Sequence, residues 1–455
     1  MNEEWYRGSL PLSSLLSVSE QKRRKGCDPG LRPPCGTRKK KERIFNMNKD
    51  VSAKVPFAIA FSVGSVLFSA HAGGGFATGN QANTYYVSLG WLGPFSAVLA
   101  MLLLAITMRE AMFMYNSRGL SSYKELFQTL YHPFDGLYVM FEIFFYIMVL
   151  MAVAAAISGA ASALREYFAI NYYLGIVIVG AIVLALTIFG ARLVRMATTY
   201  MGIAILATAV TIYLIGIVKN GGIGAVLSAD FKSSGFSGLP QAILNGFTYA
   251  AFQCVTLPTM VACGTPLINK KACDSSMWVS FVMNTVALVL SVLMLLCWKP
   301  FYTSVAGGSV IPTLTSCREM GIGWLTVMYG ICLLLCLIST GVTTTFGFVA
   351  RFEKLPLFRG ISSSTVRSAI VAAFIIALSM GISLAGLTNI IKYGYGYCGY
   401  YAIAVVIIPF MTAGIYKNRK FLEANPEYRG SSISGRFLRI GEKIAPERAE
   451  PGKAE

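Results

Sequence analysis

Apolar residues run along this chain in long unbroken stretches rather than in alternation. Ten stretches lie at 54–87, 91–115, 134–164, 172–189, 195–218, 240–263, 276–298, 323–351, 366–383 and 388–416. Each is close to or above the roughly 20 residues that a helix needs to cross a bilayer. Continuous runs predict helices and disfavour strands. The expected fold class is all-α, a polytopic membrane protein of about ten transmembrane helices.

Two of the ten are interrupted. The first meets Gly73-Gly74-Gly75 where a helix should continue, and Thr78, Asn80, Gln81, Asn83 and Thr84 follow at once. Glycine costs a helix roughly 1 kcal/mol relative to alanine. Backbone groups freed at that depth need partners, so an unwound turn is tolerated only against protein or a polar cavity. The pattern predicts a helix to Ala72, a break across Gly73–Gly75 and a second half-helix from Phe76 to Val87. The sixth run opens on Pro240 and meets Pro258 within its apolar length. A proline removes one backbone bond and pushes its predecessor out of helix, which predicts an interruption across 252–257. A simple proline kink is the competing reading.

Two broken helices, each opening a set of five, point to an inverted repeat. The first repeat spans 51–218, the second 239–416, and a Gly- and Ser-rich external linker occupies 219–238. A basic segment, 1–50, precedes them and a tail, 417–455, follows. The N-terminal segment reads either as a disordered cytoplasmic tail or, up to Asn46, as translated leader ahead of a start at Met47.

Composition agrees with the pattern. Apolar residues make up 55% of the chain and charged residues 13%, about half the charged share of soluble domains. The net charge of +18 could suggest nucleic acid, but its distribution follows the membrane. With the N-terminus inside, inner loops carry Arg118, Lys124, Arg192, Arg195, Lys270, Lys271, Arg351, Lys354, Arg359 and Arg367, while outer loops carry fewer basic residues. That bias is the positive-inside pattern, with both termini cytoplasmic. The ten cysteines and two histidines, His71 and His132, show no ligand spacing. Cys27 and Cys35 would be cytoplasmic and reduced.

Candidate chemistry gathers at four places. The broken first helix offers the amides of Gly73, Gly74 and Gly75 with Phe76 and Gln81 beside them. Glu142, with Tyr146 one turn beyond, is an intramembrane acid, a type that is rare and usually functional; pairing with a polar neighbour is the structural alternative. The eighth helix carries Ser339, Thr340, Thr343, Thr344 and Thr345. Such hydroxyls often bond the carbonyl one turn back, yet five in seven positions exceed what packing needs. Tyr249, Phe252 and Gln253 of the sixth helix complete a candidate substrate wall.

The stretch Gly-Gly-Gly-Phe-Ala-Thr-Gly-Asn-Gln at 73–81 resembles the signature of the YkvI family of bacterial membrane proteins, which reads Gly-Ala-Gly-Phe-Ala-Ser-Gly-Gln-Glu. The resemblance covers 53–417. This chain departs at Gln81, where a glutamate is usual. The family resembles the amino acid–polyamine–organocation superfamily with the leucine-transporter-like fold. That implies a central site between helices 1, 3, 6 and 8 in a protein of the bacterial cytoplasmic membrane; it supplies no substrate.

The expectation is a secondary transporter of a small solute, an amino acid or related organic acid, working by alternating access. Amides at the break suit a carboxylate. Carbonyls ending the first half-helix, including Ala70 and Ala72, suit a cation. The fold analogy selects Ser339, Thr340 and Thr343 opposite them as a sodium site. No cofactor is expected beyond that coupling ion, and the partners are a small solute and the bilayer, not nucleic acid. Glu142 keeps proton coupling open, because burial can raise a carboxyl pKa. A channel and a membrane scaffold or sensor remain rivals; an intramembrane enzyme lacks paired aspartates, a metal-binding histidine pair or a serine elbow.

Overall fold

The computed structural model describes residues 56–190, 207–352, 360–361 and 363–430. The basic segment 1–50 with Cys27 and Cys35, the turn carrying Arg192 and Arg195, Lys354, Arg359, and the tail from 431 onward lie outside the described residues.

Apolar composition and length make seven helices among the described residues able to cross a membrane. They are Val87–Ser117, Asp135–Phe168, Tyr172–Phe189, Lys270–Ser304, Gly323–Val349, Ser364–Ser383 and Leu387–Ala424. These are the second, third, fourth, seventh, eighth, ninth and tenth spans of the sequence pattern. The fifth enters the described residues as Ala207–Lys219 and then bends by 76° into Gly224–Ser234. The remaining two, the first and sixth, are shortened by their breaks.

The sixth span runs as Leu239–Gln253, a single 3₁₀ turn at Cys254–Thr256, and Leu257–Cys263. Its interruption is therefore a tightened turn ahead of Pro258 rather than extended chain. The linker also differs from the coil that its glycines and serines suggest, because it contains the helix Gly224–Ser234. Apolar residues within and after that helix fix it to the bundle. Asp230 Oδ2 accepts the Trp91 backbone N–H at 2.8 Å, and the Trp91 ring meets Phe231 and Phe236 edge-on at 5.0 and 5.2 Å.

Packing repeats with an offset of five. The seventh span packs on the first as the second packs on the sixth; the third packs on the fourth as the eighth does on the ninth. The ninth meets the third as the fourth meets the eighth, and three pairs, 2–7, 3–8 and 4–9, are their own counterparts. Five is odd, so the two sets run in opposite senses through the membrane. The crossing of the third and eighth spans uses small residues. A Cβ on Gly159 would lie 2.8 Å from Leu337 Cδ2, and Ala155, Ala156, Ala160 and Ala163 beside it are buried. Small residues let helices approach in lipid, where van der Waals contact is the main attraction. Large apolar side chains such as Val177, Trp278 and Phe374 remain on the outside of the bundle, as a hydrocarbon surrounding permits.

One end of the bundle is basic, with Arg109, Arg118, Lys124, Lys270, Lys271, Arg351 and Lys417. A surface helix, Tyr123–Tyr131, lies there with Leu126, Phe127 and Leu130 buried. Ser122 caps it, and hydrogen bonds from the Ser121 hydroxyl and amide hold the Glu125 carboxyl below its usual range. Buried Glu110 pairs with Arg109 and accepts from Asn418 Nδ2 at 2.7 Å, tying the second span to the end of the tenth. The opposite end, with Gly224–Ser234 and Pro312–Glu319, is called the linker end below.

Candidate functional site

The first span breaks twice. Its apolar helix Phe57–His71 ends as the Ala72 amide bonds Phe68 O at 2.8 Å. Gly73 is extended (ψ −174°), and one turn, Gly74–Ala77, follows. Gly79 then takes φ +79° before Asn80–Tyr85, a left-handed conformation that glycine adopts without a Cβ clash. The break therefore falls on Ala72–Gly73, not across all three glycines, and the chain turns helical again at Gly74 rather than Phe76. Two residues leave the helix to redirect it. The second break, at Thr78–Gly79, is bridged by the Thr78 hydroxyl, which donates to Gly75 O at 3.0 Å and accepts from Asn80 N at 3.2 Å.

The break leaves backbone groups free on both sides. Among the described residues, the amides of Gly73, Gly74 and Gly75 find no backbone acceptor, and the carbonyls of Ser69, Ala70 and His71 no backbone donor. The Ala72 carbonyl takes the Cys336 thiol at 3.2 Å. These groups face a cavity of about 360 Å³ between the first, third, sixth and eighth spans. From the eighth span come Ser339, Thr340 and Thr343, and a Cβ on Gly73 would sit 3.5 Å from Thr340 Oγ1. Thr340 donates to Cys336 O and Thr343 to Ser339 O, both at 2.8 Å. The turn-back hydrogen bonds are thus present, and they direct each hydroxyl proton into the helix while leaving oxygen lone pairs for another partner. Among the described residues, no acidic or basic side chain apart from His71 lines the cavity.

The lining also shows which way the cavity faces. It runs past Val66, Phe145, Thr259 and Gly347 toward the basic end. At the linker end the first span is clamped shut. Asn80 Nδ2 lies 3.2 Å from Ser309 O, 2.9 Å from Val310 O and 2.9 Å from Thr388 Oγ1. Tyr302 donates to Asn83 at 2.7 Å and Tyr329 to Ala77 O at 2.5 Å. Each such bond contributes about 1 kcal/mol net. Asn80→Ala is therefore expected to shift molecules toward opening at the linker end. In a cysteine-free background, a cysteine at Thr256 should then react several-fold more slowly with an impermeant thiol reagent supplied from the basic side. An unchanged rate would show that Asn80 holds nothing closed.

Of the sequence candidates, Ala70, Ala72, Gly73, Gly74, Gly75, Gln81, Gln253, Ser339, Thr340 and Thr343 line this cavity. Phe76, Tyr249 and Phe252 stand behind its wall. Phe76 packs on His71 with ring centres 5.0 Å apart, and Phe252 on Tyr249 at 4.8 Å. Glu142 and Tyr146 do not line it. The third helix begins its α turns at Tyr138, so Glu142 lies about one turn from its end. Arg351 meets it at 2.6 Å and Tyr146 at 3.3 Å, which is the structural alternative for that acid. Two residues escaped the sequence reading, His71 and Asn284, which bond each other at 2.6 Å. Their signal was available: a histidine beside the glycine run, and a lone asparagine within the apolar seventh run.

No family model matches this chain, and no curated protein does. Among solved structures, a Na⁺-coupled sialic acid symporter in a substrate-bound outward-open state is similar over 79% of each chain, with TM-score 0.55 and 13% sequence identity. A manganese transporter of Eremococcus coleocola is similar over 85% of this chain and 91% of its own, with TM-score 0.43 and 15% identity. The symporter shows the fold: this chain shares the helical architecture of a polytopic membrane protein.

Proposed function

We propose that this protein is a secondary transporter that moves a small carboxylate-bearing solute, an amino acid or related organic acid, together with sodium. The observation that carries this reading is the break at Ala72–Gly73. It sets three free amides and three free carbonyls on opposite sides of one bend, all at the cavity between four spans. Free amides suit an anion, and free carbonyls with hydroxyl lone pairs suit a hard cation. Ser69 and Ala70 carbonyls with Thr340 and Thr343 make the neutral oxygen set for sodium, and Ser339 stands beside them. Among the described residues no three His, Cys, Asp or Glu side chains gather as a metal cluster, which favours a monovalent hard ion over a transition metal. The fold shared with a Na⁺-coupled symporter supports the same choice.

The basic end is assigned to the cytoplasm by the positive-inside pattern, in a bacterial cytoplasmic membrane with both termini inside. The described conformation is then inward-facing. The resemblance of 73–81 to the YkvI signature supports kinship with that family in this reading.

Thermal stability of the purified protein tests the whole reading. Amino acids and small organic acids, each with and without sodium, are expected to raise the melting temperature by several degrees only when a solute and sodium are present together. Binding of the native state raises stability by mass action. No joint stabilisation by any member of the set would remove the proposal.

A further inference from the structure

Away from the central cavity, the second and seventh spans enclose a groove of about 510 Å³ on the outside of the bundle. Its walls are two helical stripes. Leu102, Ala105, Ile106 and Arg109 come from the second span, and Asp274, Met277, Trp278 and Phe281 from the seventh. Each set keeps the i, i+3, i+4, i+7 spacing of a single helix face. The two helices run in opposite senses, so the charged member of each stripe falls at the same end, the basic one. Arg109 Nη1 lies 3.5 Å from Asp274 Oδ1 there. Seven residues of helix rise about 10 Å, which is the length of the apolar slot beyond the charges. Leu102 and Trp278 are exposed along it, and tryptophan suits the boundary between lipid headgroups and chains.

The charged end is not saturated. Arg109 donates to Glu110 Oε1 through Nε at 2.9 Å and through Nη2, while Nη1 donates no hydrogen bond among the described residues. The Asp274 carboxylate accepts none from any described residue, and its Oδ1 is buried without a hydrogen-bond partner. A separation of 3.5 Å lets the pair attract without using up its donors and acceptors. The two side chains are 29% and 42% exposed, so an outside molecule can reach both. An occupant that completes this end needs an anion for Arg109, a hydrogen-bonding cation for Asp274 and a hydrocarbon chain for the slot. We propose that the groove binds a phospholipid with a primary-ammonium headgroup, of the phosphatidylethanolamine type. Its phosphate meets Arg109, its ammonium donates to Asp274, and one acyl chain lies between Ala105 and Trp278. A choline headgroup has no N–H to give Asp274, and a glycerol headgroup sets an unbalanced phosphate beside that carboxylate. Lys270 and Lys271 open the same helix and would draw an anionic lipid, which is therefore the rival occupant. The second span packs on the sixth and the seventh on the first, so the bound lipid braces the helices behind both broken ones.

The test uses the full chain purified in detergent, read by native mass spectrometry. Phosphatidylethanolamine, phosphatidylcholine and phosphatidylglycerol with identical acyl chains are titrated separately. Wild-type protein should retain phosphatidylethanolamine at about tenfold lower concentration than the other two, the scale of one hydrogen bond to a charged group. Asp274→Asn keeps the shape and removes the charge, and should erase the preference over phosphatidylcholine. Leu102→Trp fills the slot from an exposed position and should lower retention of all three lipids. Gel filtration checks that each variant is folded, and the order of the three lipids on wild-type protein decides the matter even if a variant is not. Equal retention of phosphatidylethanolamine and phosphatidylcholine by wild type overturns the proposal. So does tightest binding of phosphatidylglycerol, or a preference that survives Asp274→Asn. A dimer that Leu102→Trp abolishes, with no lipid retained, would give the groove to a second copy of the chain and overturn it as well.

Discussion

Gly74→Leu is expected to abolish solute uptake while leaving membrane insertion intact. A Cβ at this position would already lie 2.5 Å from Leu337 Cδ2 and 3.6 Å from the Ala156 Cα. Leucine adds three further carbons, so the single turn Gly74–Ala77 must move off the third and eighth spans or push them apart. Overpacking of this kind costs about 1–3 kcal/mol, too little to unfold ten packed helices but enough to displace the freed amides. Displacement by about 1 Å can cost a hundredfold in a positioned site, and here the donors themselves are displaced. Uptake into proteoliposomes should fall by at least about that factor, with surface biotinylation or gel-filtration profile unchanged. Normal uptake by this variant would show that the break does not recognise the solute.

Thr340→Val should raise the sodium concentration needed for half-maximal solute binding about tenfold, an effect of 1.4 kcal/mol. The substitution keeps the shape of the side chain and removes an oxygen whose proton is already committed to Cys336 O. Loss of that internal bond alone would lower stability slightly without changing sodium dependence. Thr345→Val is the matched control, because its hydroxyl is buried on the same helix without a hydrogen-bond partner and lines no part of the cavity. Sodium titrations of the two variants should diverge. Parallel curves would take Thr340 out of the ion site.

The architecture was legible because a membrane imposes it. Continuous apolar runs gave the spans, and the two interrupted runs became the two broken helices. The position of the first break was legible to within a residue or two, but not its form. Glycine permits a break without requiring one, and three in a row do not say which will leave the helix. Leu337 lies against Gly74 and Thr340 against Gly73, contacts from the eighth span that no local pattern records. The second break at Gly79 was masked by the polar residues around it, whose side chains bridge it. Glu142 misled for a related reason. An acid in an apolar run looks isolated until Arg351 arrives from 209 residues away, and no local pattern records that approach. His71 and Asn284 were overlooked because hydrogen-bonded relays between spans have no spacing in sequence.

Leaving His71 aside, the described residues that wall the hollow at the heart of the bundle carry no net charge. In the proposed cycle the protein contributes nothing to cancel the charge of what it carries. A zwitterion entering with one sodium would take one uncompensated positive charge across, worth about 2.3 kcal/mol for each 100 mV of membrane potential. The empty carrier would return without feeling that field. Voltage would then drive the loaded half of the turnover, and a cell's resting potential would serve as a source of accumulation beside the ion gradient.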